Sequence, residues 1–138
     1  VERLRFTGTY SYITTEITKN PGEESLVGRE LTNVPKTVAT LDVSYTTRMG
    51  LGARYMFRDV GEYFTSPDNL FSYEGYTVSN ISLFYEFDPL SVNSSRVFFE
   101  VKNIFGAEYA EAVFVIDGVN SFGPAPLRNF VVGINYSF

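Results

Sequence analysis

Four aromatic side chains crowd one polar stretch, "DVGEYFTSPDNLFSYE" (59–74): Tyr63, Phe64, Phe71 and Tyr73. Two more, Phe114 and Phe122, lie in a second polar stretch, 106–126. Aromatic clusters in otherwise polar connections suit flat, ring-bearing ligands. Packing of the connections on themselves, or a girdle of rings at an interface, is the plainer reading and is preferred. Arg54 and Arg58 stand two turns of alternation apart on the polar side of "GLGARYMFRD". They suit an anionic ligand, though pairing with acids of the sheet, or of a segment packed against it, is the simpler role.

The polar stretches are also acidic. Glu16, Glu23, Glu24 and Glu30 occupy the first, against Lys19, Arg29 and Lys36. Asp59, Glu62, Asp68 and Glu74 occupy the second, and Glu108, Glu111 and Asp117 the third. No spacing matches a calcium loop, and a solvated surface accounts for these acids. Glu23 and Glu24 are adjacent in a loop and hold no set separation for acid–base work. Gly50 and Gly52 lack the strand–turn–helix setting of a phosphate loop, and the glycosylation-like triplets at Asn80 and Asn93 read as accidental.

Other chemistries are removed outright. The chain has no histidine and no cysteine. The usual general base, the thiolate nucleophile, disulfides and most zinc sites go with them. No cofactor is expected. A formal charge of −5 argues against nucleic acid. No apolar run approaches the roughly 18 residues of a membrane-spanning helix; "AVFVI" (112–116) is far too short.

The elements that must position these residues are strands. Period-2 alternation recurs six times, in 3–14, 37–46, 50–59, 75–87, 96–103 and 129–138. Leu4, Phe6, Tyr10 and Tyr12 alternate with Arg5, Thr7, Thr9 and Ser11. Ile81, Leu83, Tyr85 and Phe87 alternate with Asn80, Ser82 and Glu86. The connections run long, short, long, short, long: 16–36, 47–50, 59–74, 88–95 and 106–126. Up-and-down outer-membrane barrels have this layout, with short turns on one side and long loops outside. Nine residues at ~3.3 Å give about 30 Å of strand. Tilted by ~40°, that covers roughly 23 Å, near the ~25 Å apolar band of such barrels.

The last stretch, "NFVVGINYSF", places Phe130, Val132, Ile134, Tyr136 and Phe138 on one side. Open edges are not tolerated in hydrocarbon, so this strand must take part in closing a barrel. The alternate apolar positions and final aromatic resemble the signal that the barrel-assembly machinery reads in bacterial outer-membrane proteins.

Several stretches resemble the C-terminal end of TonB-dependent outer-membrane receptors. "VKNIFGAEY" is similar to that family's Val-x-Asn-Leu-Phe-Asp-x-x-Tyr, through Val101, Asn103, Ile104, Phe105 and Tyr109. "PLRNFVVGINYSF" resembles its closing Pro-x-Arg and last strand, through Pro126, Arg128, Gly133, Tyr136 and Phe138. "NVPK" (33–36) and "GYTVSNISLFYEF" resemble two further strand starts. Gly106, Asn80 and Ile104 depart from the pattern conservatively. The resemblance implies an all-β, antiparallel transmembrane barrel of 22 strands, of which residues 1–138 supply the last six. It also implies a plug domain and a TonB box, both absent from this chain, and uptake of a ferric siderophore or similar scarce nutrient. Six strands are too few for a barrel with an interior, since the smallest common ones have about eight.

The expectation is therefore a multi-pass segment of a bacterial outer-membrane receptor, not an enzyme. Its partners would be the rest of the barrel and plug, the TonB complex through that plug, the barrel-assembly machinery, lipid and lipopolysaccharide, and the ferric siderophore. Rival readings are a passive porin or adhesin, a small-barrel hydrolase, and a soluble β-sandwich binding module.

Overall fold

In a computed structural model that describes residues 2–87 and 95–136, the six alternating stretches form one antiparallel sheet. Its strands are β1 (Arg3–Tyr12), β2 (Thr37–Thr46), β3 (Leu51–Val60), β6 (Tyr76–Phe87), β7 (Ser95–Lys102) and β10 (Asn129–Asn135), in that spatial order. Two short hairpins lie in the connections: β4 (Tyr63–Phe64) with β5 (Ser72–Tyr73), and β8 (Ala110–Ile116) with β9 (Val119–Pro124). The one helical element among the described residues is a 3-10 turn, Glu24–Leu26. Every main-sheet neighbour precedes or follows in the chain apart from these hairpins, so the sheet is an up-and-down meander.

Register sets the two faces. Leu4 pairs with Tyr45, Tyr45 with Ala53, Ala53 with Leu83, Leu83 with Phe99 and Phe99 with Val132. One row of apolar side chains thus crosses all six strands on the same face. The opposite face carries Arg3, Arg5, Asp42, Arg54, Arg58, Glu86, Arg96, Glu100 and Lys102 at the alternate positions.

Burial is inverted relative to a water-soluble sheet. In β6 the polar-face residues Ser82 and Phe84 are buried, whereas Ile81, Leu83, Tyr85 and Phe87 are exposed. Val132 and Ile134 in β10 are each 74% exposed. No second sheet covers these side chains among the described residues, unlike the facing sheets of a sandwich. A contiguous apolar face of this size belongs against lipid or partner protein. Two polar pairs on this face bond to each other: Tyr55 and Ser79 share a 2.9 Å hydrogen bond, and the Thr77 hydroxyl donates to Asp59 at 2.5 Å. Such pairing lowers the cost of holding hydroxyls away from water.

The turn at 47–50 forms as expected. Gly50 takes φ +89°, its amide donates to the Thr47 carbonyl at 3.1 Å, and the Thr47 hydroxyl donates to the Leu51 carbonyl at 2.9 Å. Most of the second short turn, 88–94, lies outside the described residues, as does Phe138. Strand β1 ends at Tyr12, earlier than the alternation suggested.

The third connection is not a plain loop: β8 and β9 make a hairpin whose Asp117 and Gly118 both have positive φ, 51° and 74°. That is the backbone of a type I′ turn, and Asp-Gly between two alternating runs is its signature.

Candidate functional site

The long connections all leave the same end of the sheet, and they are tied together. The Asn69 side chain accepts from the Glu30 amide at 2.8 Å and donates to the Glu30 carbonyl at 3.0 Å, joining the second connection to the first. Asn120, in β9, accepts from the Thr65 hydroxyl at 2.7 Å and donates to the Ser72 carbonyl at 3.0 Å, joining the third to the second. The Tyr73 hydroxyl accepts from the Ala110 amide at 3.0 Å. Around these bonds Tyr63, Ala110 and Val113 are buried.

The expected aromatic residues separate into two groups. Tyr63 meets Tyr73 edge-on at 5.6 Å, and Tyr73 meets Phe122 at 6.0 Å. Phe64 lies under the Lys36 ammonium at 4.9 Å from the ring centre. Phe71 is half-buried and fixed through its backbone to Thr65 and Ser66. Phe64, Phe71, Tyr73 and Phe122 thus knit the connections, in line with the packing reading. Tyr63 and Phe114 instead reach a cavity of about 340 Å³, together with Arg58, Tyr76 and Glu111.

This cavity sits where the polar face of the sheet meets the β8–β9 hairpin. Tyr76 stacks on Tyr109 with ring centres 4.3 Å apart. Tyr109 and Glu111 also line an adjoining cavity of about 250 Å³ with Lys102, Asn80 and Asn129. Burial pushes the phenols of Tyr63 and Tyr109 up from their usual range, so both remain protonated donors at neutral pH. The mouth therefore offers phenol donors, one guanidinium, one ammonium and one carboxylate beside flat rings. Such a set can orient a ligand through hydrogen bonds and charge. Tyr76, Tyr109 and Glu111 were not singled out as site residues. The two tyrosines stand within the strand and loop motifs quoted above, and only the hairpin's fold brings them to Arg58.

Arg54 is elsewhere. It lines a concavity of about 460 Å³ toward the short-turn end, and its guanidinium is clamped by Asp42. Nε donates to both carboxylate oxygens at 3.0 and 2.9 Å, and Nη2 also donates to Oδ2. Its partner is thus a wall acid, one of the two kinds of acid expected for it.

Asn103 explains the Val-x-Asn motif. At φ +52° and 2% exposure, its side chain donates to the Ala107 carbonyl and accepts from the Ala107 amide, both at 2.8 Å. Asn80 accepts from the Asn103 amide at 2.9 Å, so its carboxamide oxygen supplies the acceptor at this position. Asn103→Leu leaves both Ala107 groups without partners and puts a branched residue at positive φ. It should cost about 1–3 kcal/mol, read as a lowered urea midpoint of the folded receptor; an unchanged midpoint refutes the assignment.

Residues 3–104 match the family described as "TonB dependent receptor-like, beta-barrel". The chain belongs to this family. Two solved structures share the fold of the TonB-dependent receptor barrel with it. One is BauA, the ferric preacinetobactin receptor from Acinetobacter baumannii, with TM-score 0.75 and 19% identity over 98% of this chain. The other is the ferric citrate transporter FecA in its unliganded form, with TM-score 0.81 and 19% identity, again over 98%. The chain spans only 20% and 21% of their lengths. No characterised protein compared by sequence matches it. As a section of a TonB-dependent receptor barrel, the sheet is open, with the apolar face on the lipid side and the charged face on the lumen side.

Proposed function

We propose that residues 1–138 are the C-terminal part of the wall of a bacterial outer-membrane TonB-dependent receptor, spanning the membrane several times. The receptor captures a scarce nutrient, a ferric siderophore or a similar chelate, and passes it inward. The plug domain and TonB box belong to the rest of the protein, which completes the barrel toward 22 strands. TonB acts through that plug; the assembly machinery, lipid and lipopolysaccharide are the remaining partners. This part makes and breaks no bonds.

The observation that carries the reading is the lumen-mouth cavity of Arg58, Tyr63, Tyr76 and Glu111, in a chain of this family. The two structural neighbours are a ferric preacinetobactin receptor and a ferric citrate transporter, which favours an iron chelate. Phenol donors and a guanidinium beside stacked rings suit catecholate, phenolate or carboxylate chelators.

Iron uptake by cells carrying the whole receptor tests this, using radiolabelled ferric complexes of catecholate, hydroxamate and citrate type. Uptake of one class should depend on TonB. Arg58→Gln should weaken binding of that class about tenfold, or ~1.4 kcal/mol, with the surface level of receptor unchanged. Permeation that persists without TonB would instead identify a passive porin.

A further inference from the structure

We propose that the lumen-mouth cavity holds an ammonium subsite, formed by Glu111 with the rings of Tyr63, Tyr76 and Phe114, so that this receptor selects a chelate bearing a free amine. The proposal rests on the reading of this cavity as the cargo site and adds the charge type of the cargo.

The cavity wall carries one cation and one anion from separate elements, Arg58 from β3 and Glu111 from β8. Neither takes part in an ion pair among the described residues. Both lie near the Tyr109 phenol. Burial is the main cause that pushes this phenol up; the Glu111 charge adds to it and Arg58 works against it. Opposite charges held apart across one cavity match a ligand that brings both signs. A purely anionic ligand gains from Arg58 and loses to Glu111, and that repulsion is a means of discrimination.

The rings supply the rest of the subsite. Tyr63, Tyr76 and Phe114 line the same cavity as Glu111. Tyr63 is buried, and Tyr76 is backed by the stacked Tyr109 ring, so neither turns freely. Aromatic faces beside a carboxylate attract an ammonium through the ring quadrupole and the charge together. The chain already holds one of its own ammoniums in this way. The Lys36 ammonium lies 4.9 Å over the Phe64 ring and 3.3 Å from the Glu30 carboxylate.

The surroundings carry the same sign. The second connection, 59–74, has Asp59, Glu62, Asp68 and Glu74 with no Lys or Arg, and the third, 106–126, has three acids and no Lys or Arg. An acidic rim steers a cation-bearing cargo toward the mouth and opposes a wholly anionic one.

The test uses the whole receptor in outer-membrane vesicles and radiolabelled ferric complexes. One catecholate and one citrate-type chelator each carry an aminopropyl arm, the same arm N-acetylated, or a carboxypropyl arm. With one of the two chelators, the amine form should bind best, and acetylation should weaken it about tenfold. Glu111→Gln should erase that difference, and Glu111→Lys should reverse the order in favour of the carboxypropyl arm. Arg58→Gln should weaken all three arms. Binding that depends on Arg58 but ignores the arm would overturn the ammonium subsite and leave the cargo site standing. A preference for the amine that survives Glu111→Gln would also overturn it, because the ammonium would then be read elsewhere. Failure of every complex to bind would remove both readings. If Glu111→Lys does not reach the membrane, the comparison of the unaltered receptor with Glu111→Gln still decides.

Discussion

Leu83→Arg should cost about 2–4 kcal/mol of folding stability in a bilayer, the penalty for a cation near the midplane of an outer-membrane barrel. Leu83 is 54% exposed, at the middle of β6, flanked across the sheet by Ala53 and Phe99. In a soluble sheet a residue so exposed would accept arginine at almost no cost. The sign of the effect therefore separates lipid from water as the solvent of this face. Thr7→Lys serves as the comparison, since Thr7 is exposed on the other face, opposite Asp42. It should change stability by less than ~1 kcal/mol. Both are measured on the whole receptor, by urea titration in phospholipid vesicles with the folded fraction read from gel mobility. Equal costs for the two variants would overturn the assignment of the faces.

The second large effect concerns two glycines. Gly52 sits opposite Phe84, and Gly133 opposite Phe98, and in each case the ring lies across the strand where a Cβ would stand. An aromatic ring covering a cross-strand glycine restores the contacts the missing side chain gives up. Adding a side chain at either position overpacks the wall, at about 1–3 kcal/mol. The two should respond differently to a second change. At Gly133 the obstruction is the Phe98 ring alone, so Gly133→Ala should be rescued by Phe98→Ala. At Gly52 the Tyr45 carbonyl oxygen would also stand 2.7 Å from the new Cβ. A ring can rotate away; a ladder carbonyl cannot. Gly52→Ala should therefore stay destabilising after Phe84→Ala. The double-mutant cycles check this, and equal rescue at both glycines would refute it.

Most of the sheet was legible because its period is short and its chemistry is sharp. A residue such as Asp42 or Glu100 between apolar neighbours reports its face directly, and register then follows from one turn such as 47–50. The β8–β9 hairpin was passed over although "DG" stood at its tip. Its strands carry apolar residues on both sides, as in Val113, Phe114 and Val115, so alternation does not announce them. The lumen-mouth cavity was only half legible. Arg58 and Tyr63 are found by their types, but Tyr76 and Tyr109 look like ordinary strand and loop residues until the chain stacks them. Arg96 enters the sequence reading only as the first residue of the alternating stretch 96–103. That it rests on Phe84 depends on Gly52, two strands away in space from β7, and no local pattern carries that information.

Asn69 and Asn120 each bolt one outer connection to the next. Force applied to any of the three is shared among the rims of six strands, as in an arch whose stones are keyed. Such a canopy tilts or lifts as one piece, and a break in either bolt would let its parts flap separately.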